Sequence, residues 1–195
     1  IDEQNAAAWY RKGCAHHGLN QYGEAVRAFS RSLECDPDDL SVWHSLGIAL
    51  ITLNQYEEAI EALDLALAIE SESPSLWYLK GWAFGELQEY EEAVRAYCRS
   101  LECDPDALPS WINLGTSLNI LGRFEEALEA GDLALALDSG DAYAWNMKGD
   151  AQMGMKRYQE ALEAYNRALS IDPEHPYAWH SKGVALSRLR PSDTA

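Results

Sequence analysis

The chain is short of positive charge. Fifteen lysines and arginines stand against 32 carboxylates in 195 residues, a formal net charge of −17. A surface so negative repels phosphate backbones and anionic lipid, which argues against nucleic acid and membranes as partners. It either attracts a basic partner or simply keeps a long, open surface in solution. No run approaches the roughly 18 apolar residues that a membrane-spanning helix needs. The N-terminus lacks the basic-then-apolar layout of an export signal. It opens on Ile1 rather than methionine, so the natural start is expected upstream. Four cysteines include no CxxC pair, which suggests neither a zinc site nor a disulfide scaffold. With no export signal, the expected compartment is the cytoplasm. Apolar residues are not scarce: at 47 % they suffice for a packed core.

The apolar residues are strictly periodic. Trp9, Trp43, Trp77, Trp111, Trp145 and Trp179 are each 34 residues apart, and each is followed four positions later by Gly13, Gly47, Gly81, Gly115, Gly149 or Gly183. An aromatic follows at Tyr22, Tyr56, Tyr90, Phe124 and Tyr158, then an alanine at Ala25, Ala59, Ala93, Ala127 and Ala161. Each unit reads as two helices. The first runs from Trp9 to Leu19 and is broken by Asn20-Gln21; the second starts near Gly23-Glu24. Glu24, Glu58, Glu92, Glu126 and Glu160 fall in its first turn, where a carboxylate complements the positive helix end. Asp36-Pro37, Asp104-Pro105 and Asp172-Pro173 stop it, because proline has no amide to continue the ladder. Ser73-Pro74 reads as an N-cap and first-turn pair. The glycines and alanines mark close helix approach, and the six in-register tryptophans read as core, each burying roughly 150–250 Å². Neither helix covers its apolar face alone, so units must stack.

This pattern resembles the tetratricopeptide repeat family. Trp, Gly, Tyr/Phe, Ala and Pro fall at positions 4, 8, 17, 20 and 32 of units counted from Ala6, Leu40, Pro74, Leu108 and Ala142. The resemblance covers nearly the whole chain. It implies an all-α fold, a tetratricopeptide-type α-solenoid in which antiparallel helix pairs wind into a right-handed superhelix with a concave groove. The expected array has repeats at 6–39, 40–73, 74–107, 108–141 and 142–175, with a partial repeat at 176–195. Position 7, usually leucine, departs: it is Lys12, Leu46, Lys80, Leu114, Lys148 and Lys182. A lysine stem can lie along apolar surface with its ammonium in water, so the departure does not threaten the fold.

A second period is twice the first. Residues 24–38 and 92–106 are identical at 13 of 15 positions, and residues 57–69 and 125–137 at 10 of 13. A 68-residue pair is the duplicated block. It places Cys35 and Cys103 where other units have Ile69, Leu137 and Ile171, so both are expected to be buried as small hydrophobes. Ile1-Asp2 matches the tail of a preceding unit and residues 190–195 the start of another second helix. The chain is therefore expected to be a fragment of a longer array.

Catalytic chemistry finds no foothold. No nucleophile–base constellation shares a local context, and the glycines follow the packing period rather than a phosphate loop. His16 and His17 point about 100° apart on a helix, a poor pair for one metal. Glu57-Glu58 and Glu91-Glu92 recur with the repeat and read as solvated helix starts. No catalytic residue, metal or cofactor is expected.

Function is sought instead in the groove that the resemblance implies, lined by positions 2, 5, 9, 12 and 13. Carried over, these give Tyr10, Cys14 and His17; His44 and Ile48; Tyr78 and Trp82; Ile112; Tyr143, Asn146 and Asp150; and Tyr177 and His180. Trp82 is the one tryptophan out of register. It either lies exposed as an anchor for a partner or packs between neighbouring first helices. Two ligand codes of the family are absent. The carboxylate clamp would need lysine, asparagine and arginine where Tyr10, Cys14, Ser45, Ser75 and Leu79 stand, and the asparagine ladder finds only Asn113. The expected function is a non-catalytic scaffold that holds a protein or peptide segment in the groove. The alternatives are the substrate-recognition arm of a larger enzyme and end-to-end self-association through repeat ends.

Overall fold

The structure, a computed structural model, describes residues 5–189. The expectations for Ile1-Asp2 and for residues 190–195 lie outside the described residues. Those described form eleven α-helices and no strand. The chain divides into two compact units, Ile1–Pro105 and Asp106–Ala195. The first holds α1 (Ala6–Gly18), α2 (Tyr22–Cys35), α3 (Leu40–Thr52), α4 (Tyr56–Ile69), α5 (Pro74–Glu86) and α6 (Tyr90–Cys103). The second holds α7 (Leu108–Ile120), α8 (Phe124–Leu137), α9 (Ala142–Gly154), α10 (Tyr158–Ile171) and α11 (Ala178–Leu189). No helix among the described residues is long and apolar enough to cross a membrane.

Within each unit every helix packs against the next. First helices also meet each other, α1 with α3, α3 with α5, α7 with α9 and α9 with α11, whereas the backbones of second helices within a unit stay farther apart. First helices therefore form an inner layer and second helices an outer one. This is the helix-pair architecture of an α-solenoid.

The turn inside each pair is set by the backbone. Asn20, Asn54, Gln88, Gly122 and Lys156, 34 residues apart, all take positive φ. The two amides that follow each first helix fold back on its last turn, as in Asn20 N–H to His17 O (2.9 Å) and Gln21 N–H to His16 O (2.9 Å). This is a Schellman closure, and the left-handed residue lets it form. Tyr22 and Tyr56 then donate to Asn20 and Asn54 (both 2.8 Å). The second helices begin at this tyrosine register, a residue or two before the expected start.

The turn between pairs depends on tryptophan more than on proline. The indole N–H groups of Trp43, Trp77, Trp145 and Trp179 donate to the carbonyls of Pro37, Ser71, Ser139 and Pro173 at 2.7–3.0 Å. Helices α4 and α8 end in the expected register although Ser71 and Ser139 replace the proline. The tryptophans are accordingly half-buried, not fully enclosed core residues, and Trp179 is 58 % exposed. Ser73 sits at the start of α5 with Pro74 after it, but its hydroxyl makes no capping bond and meets Ser75 instead. Cys35 is exposed and Cys103 half-buried, contrary to the core reading. Their register falls on the outward side of the last turn, where Ile69, Leu137 and Ile171 are exposed as well.

Position 7 is explained by the same tryptophans. Lys12, Lys80, Lys148 and Lys182 lie 4.8–5.5 Å from the ring centres of Trp9, Trp77, Trp145 and Trp179. Two of these cations are also held by a carboxylate from the preceding second helix, Lys80 by Asp64 and Lys148 by Asp132. Each ammonium thus sits between an indole face and an acid, an arrangement worth about 0.5–1 kcal/mol for the ring contact alone.

The glycine of each first helix from α1 to α9 receives a large side chain. A Cβ on Gly81 would lie 2.6 Å from Tyr97, and one on Gly149 would lie 2.5 Å from Tyr165. Phe29 and Leu63 fill the same place against Gly13 and Gly47. The fourth repeat has Gly131 at that register, and Met147 from α9 fills the space against Gly115. Gly183 has nothing within 4 Å among the described residues. Two substitutions of the same kind should therefore move stability in opposite directions. Gly149→Ala should lower stability by about 1–3 kcal/mol through overpacking. Gly183→Ala should raise it by up to about 1 kcal/mol through helix propensity. Paired urea melts measure both, and a gain from Gly149→Ala would show that the Tyr165 ring can yield.

Candidate functional site

In the first unit, first helices carry seven of the residues singled out from sequence: Tyr10, Cys14 and His17 on α1, His44 and Ile48 on α3, and Tyr78 and Trp82 on α5. Cys14, His17 and Ile48 line a recess of about 130 Å³ together with Phe29 and Ser45. Tyr10 and His44 line an adjoining recess of about 400 Å³, which is rich in hydroxyls from Ser41, Ser45, Ser73 and Ser75 and has Glu70 at its edge. Ser45 is common to both. Burial lowers the His44 pKa, which favours the neutral ring at neutral pH. Tyr78 is half-buried and stacks obliquely on Tyr97, 6.0 Å between centres.

Trp82 is 39 % exposed on α5. Its indole N–H donates to Glu86 Oε1 (3.2 Å), and the Tyr56 hydroxyl, whose one proton goes first to Asn54 (2.8 Å), lies 3.3 Å from the other carboxylate oxygen. Burial and the adjacent Glu86 charge raise the Tyr56 phenol above its ordinary value. Sequence reading found Trp82 but not this pairing, although the i, i+4 spacing on one helix face was a usable signal.

The second unit is different in kind. Ile112 on α7 is half-buried, and Tyr143 at the start of α9 is 50 % exposed. Tyr177, just before α11, is 64 % exposed, and His180 is exposed on α11. Asn146, by contrast, is buried and donates to Asp150 Oδ2 (3.1 Å), while the Tyr165 hydroxyl donates to Asp150 Oδ1 (2.8 Å). His175, absent from the sequence reading, is buried and lies 4.5 Å from the Tyr143 ring and 6.2 Å from Tyr177. Its Nδ1 accepts the Ala178 amide (3.2 Å) and so caps α11 as Asp39 and Asp141 cap α3 and α9. The Nε2 of His175 and the Oδ1 of Asn146 are buried without a partner among the described residues.

A further recess of about 550 Å³ lies between α9 and α10 beside Trp145, Lys148 and Arg167 and carries charges of both signs. No cluster of three metal-ligating side chains occurs among the described residues. On α11, Trp179, Leu186 and Leu189 are all more than a third exposed.

Comparison with known proteins places these features in a family. Tetratricopeptide repeat family models match residues 16–83, 78–142 and 142–175. No curated protein sequence matches the chain. Among solved structures, MamA has a TM-score of 0.80 at 21 % identity, covering 89 % of this chain and 94 % of that one. YrrB, described as a tetratricopeptide protein with an unusual peptide-binding site, has a TM-score of 0.78 at 22 % identity over 93 % and 94 % of the two chains. A thermophilic tetratricopeptide protein of Thermus thermophilus, TTC0263, has a TM-score of 0.69 at 21 % identity over 94 % and 100 %. At these identities the likeness is one of fold.

The Asp150 network gives a pH test. Burial, the largest influence, raises the Asp150 pKa above 3.8, against opposing hydrogen bonds from Tyr165, Ser181 and Asn146. A raised folded pKa contributes stability that is present below the unfolded value and lost as pH rises through the folded one. The stability of Asp150→Asn relative to the parent should therefore improve from about pH 4 to about pH 7. Urea melts at both pH values check this, and a relative loss would mean that the hydrogen bonds outweigh burial.

Proposed function

The chain belongs to the tetratricopeptide repeat family, and from that premise we propose that it is a non-catalytic scaffold whose inner helix layer holds an extended or helical peptide segment of a protein partner. The observation that carries this reading is the lining of the first unit. Its first helices border two recesses that share Ser45, carry Tyr10 on α1 and Tyr78 and Trp82 on α5, and have an exposed tryptophan that the repeat does not require. Partly exposed aromatics and hydroxyl groups suit a peptide, because the rings supply contact area with few rotamers while the hydroxyls meet backbone amides. YrrB, named for peptide binding, is a precedent for the fold. The negative charge disfavours nucleic acid and anionic membranes.

Peptides selected from a random display library against the intact chain test this. Trp82→Ala and Tyr78→Ala should each weaken a selected peptide by about tenfold or more. Leu65→Ala, on the outer helix α4 and 57 % exposed, should leave affinity unchanged. Affinity indifferent to both inner substitutions would remove the inner face as the site.

End-to-end self-association is the second reading, favoured by the exposed Trp179, Leu186 and Leu189 and by the open space at Gly183. Sedimentation of the isolated chain should show concentration-dependent mass that Trp179→Glu abolishes. Monomer at every concentration would end this reading.

A further inference from the structure

The protein twice builds a site for a cation out of an indole and a carboxylate. Lys80 lies over Trp77 and is paired with Asp64; Lys148 lies over Trp145 and is paired with Asp132 (2.6 Å). On the inner face of α5 the same two components recur without the third. Trp82 and Glu86 are joined by a hydrogen bond of 3.2 Å, and among the described residues no cation lies over that ring or pairs with that carboxylate. Glu86 is not loose: the Trp82 indole N–H holds one of its oxygens, and the Tyr56 hydroxyl, which shares its one proton with Asn54, borders the other, so the carboxylate is positioned before any ligand arrives. Neutral donors leave its charge intact, and each oxygen keeps a lone pair for a further donor.

The sequence from α3 through α5 carries charge almost wholly of one sign, and the arginines of α6, Arg95 and Arg99, are paired with Glu92 and Glu102. Between Leu40 and Glu89 the sequence has eight carboxylates and a single lysine or arginine, Lys80, which Asp64 and Trp77 already hold. On α3, His44 is kept toward its neutral form by burial. We propose that Trp82 and Glu86 form a receptor for an arginine or lysine side chain of the partner, so that the segment held on the inner face is a basic one. This rests on the reading of that face as a peptide-binding surface. The indole face takes the cation as Trp77 takes Lys80, Glu86 supplies the counter-charge, and the net charge of −17 speeds the encounter. Arginine fits better than lysine, because its planar guanidinium can stack on the ring and still donate to the carboxylate edge.

The test uses the intact chain and synthetic versions of display-selected dodecapeptides, each made once with its cations and once with every cation replaced by citrulline. Basic sequences should be enriched, and the indole N–H resonance of Trp82 should shift with saturation. Glu86→Gln should weaken the basic form by about three- to tenfold, the size expected of one exposed ion pair with a ring contact. Glu57→Gln removes the same charge from the outer helix α4 and should change affinity less than about twofold. Equal losses from the two variants would mean that bulk charge attracts the peptide, and would overturn the receptor. Citrulline forms that bind as well as their parents would overturn it too. Neutral peptides that depend on Trp82 but not on Glu86 would overturn the cation receptor while leaving the peptide-binding face in place. Binding that survives both Trp82→Ala and Tyr78→Ala would remove both.

Discussion

Each pair of helices is held close by a large side chain pressed against a glycine, a ring in the first, third and fifth repeats and Leu63 in the second. Tyr97 on Gly81 and Tyr165 on Gly149 leave no space for even a methyl group, and that closeness aligns the first helices so that they meet one another as an inner layer. Everything presented on that layer inherits its spacing from this contact. Where the fourth repeat loses the ring, having Gly131 in its place, Met147 fills the space from the following helix. A flexible thioether is suited to such a gap. The contact can therefore be supplied from a different helix, provided that the volume is filled.

Tryptophan has a different task from the one its size suggests. Its indole N–H ties the first helix to the carbonyl of the turn before it, and its face carries a lysine in four repeats. Both roles require a ring that is only partly covered. The helix pairs, their register and the closing turns were legible from the spacing of Trp, Gly, Tyr and Ala, because those residues act at fixed separations along one chain. The partial burial of tryptophan was not legible, since periodicity reports which residues share a face and not how much of that face a neighbour covers. The exposed Cys35 shows the same gap: its register is occupied elsewhere by isoleucine and leucine that are themselves exposed.

The candidate site was legible to different depths in the two units. In the first, Tyr10, Cys14, His17, His44 and Ile48 do line recesses on one face. In the second, Asn146 turns inward to Asp150, because Tyr165 brings a hydroxyl to the place where Phe29 brings only a ring edge. Asp150 is the one acid at a register otherwise held by Cys14, Ile48, Trp82, Thr116 and Val184. That irregularity was visible, but its partner was not, since Tyr165 reads from sequence as one more aromatic in the core. The Trp82–Glu86 pair escaped for a related reason: two residues each explicable alone gain a joint meaning only when their side chains are seen to meet.

The alternation of the lysine clasp has a consequence for how such a chain can be lengthened or shortened. Asp64 and Asp132 face lysines, whereas Ser30 and Cys98 occupy the same register ahead of repeats that carry Leu46 and Leu114; only ahead of Lys182, in the last helix, does Asn166 stand where the acid would be. Excising one repeat would set Lys80 behind Ser30 and leave its ammonium without its acid. Excising two would set Lys148 behind Asp64, a carboxylate again. The interchangeable module is thus the pair of repeats, and a genome recombining this array would find insertions and deletions of 68 residues tolerated more readily than those of 34.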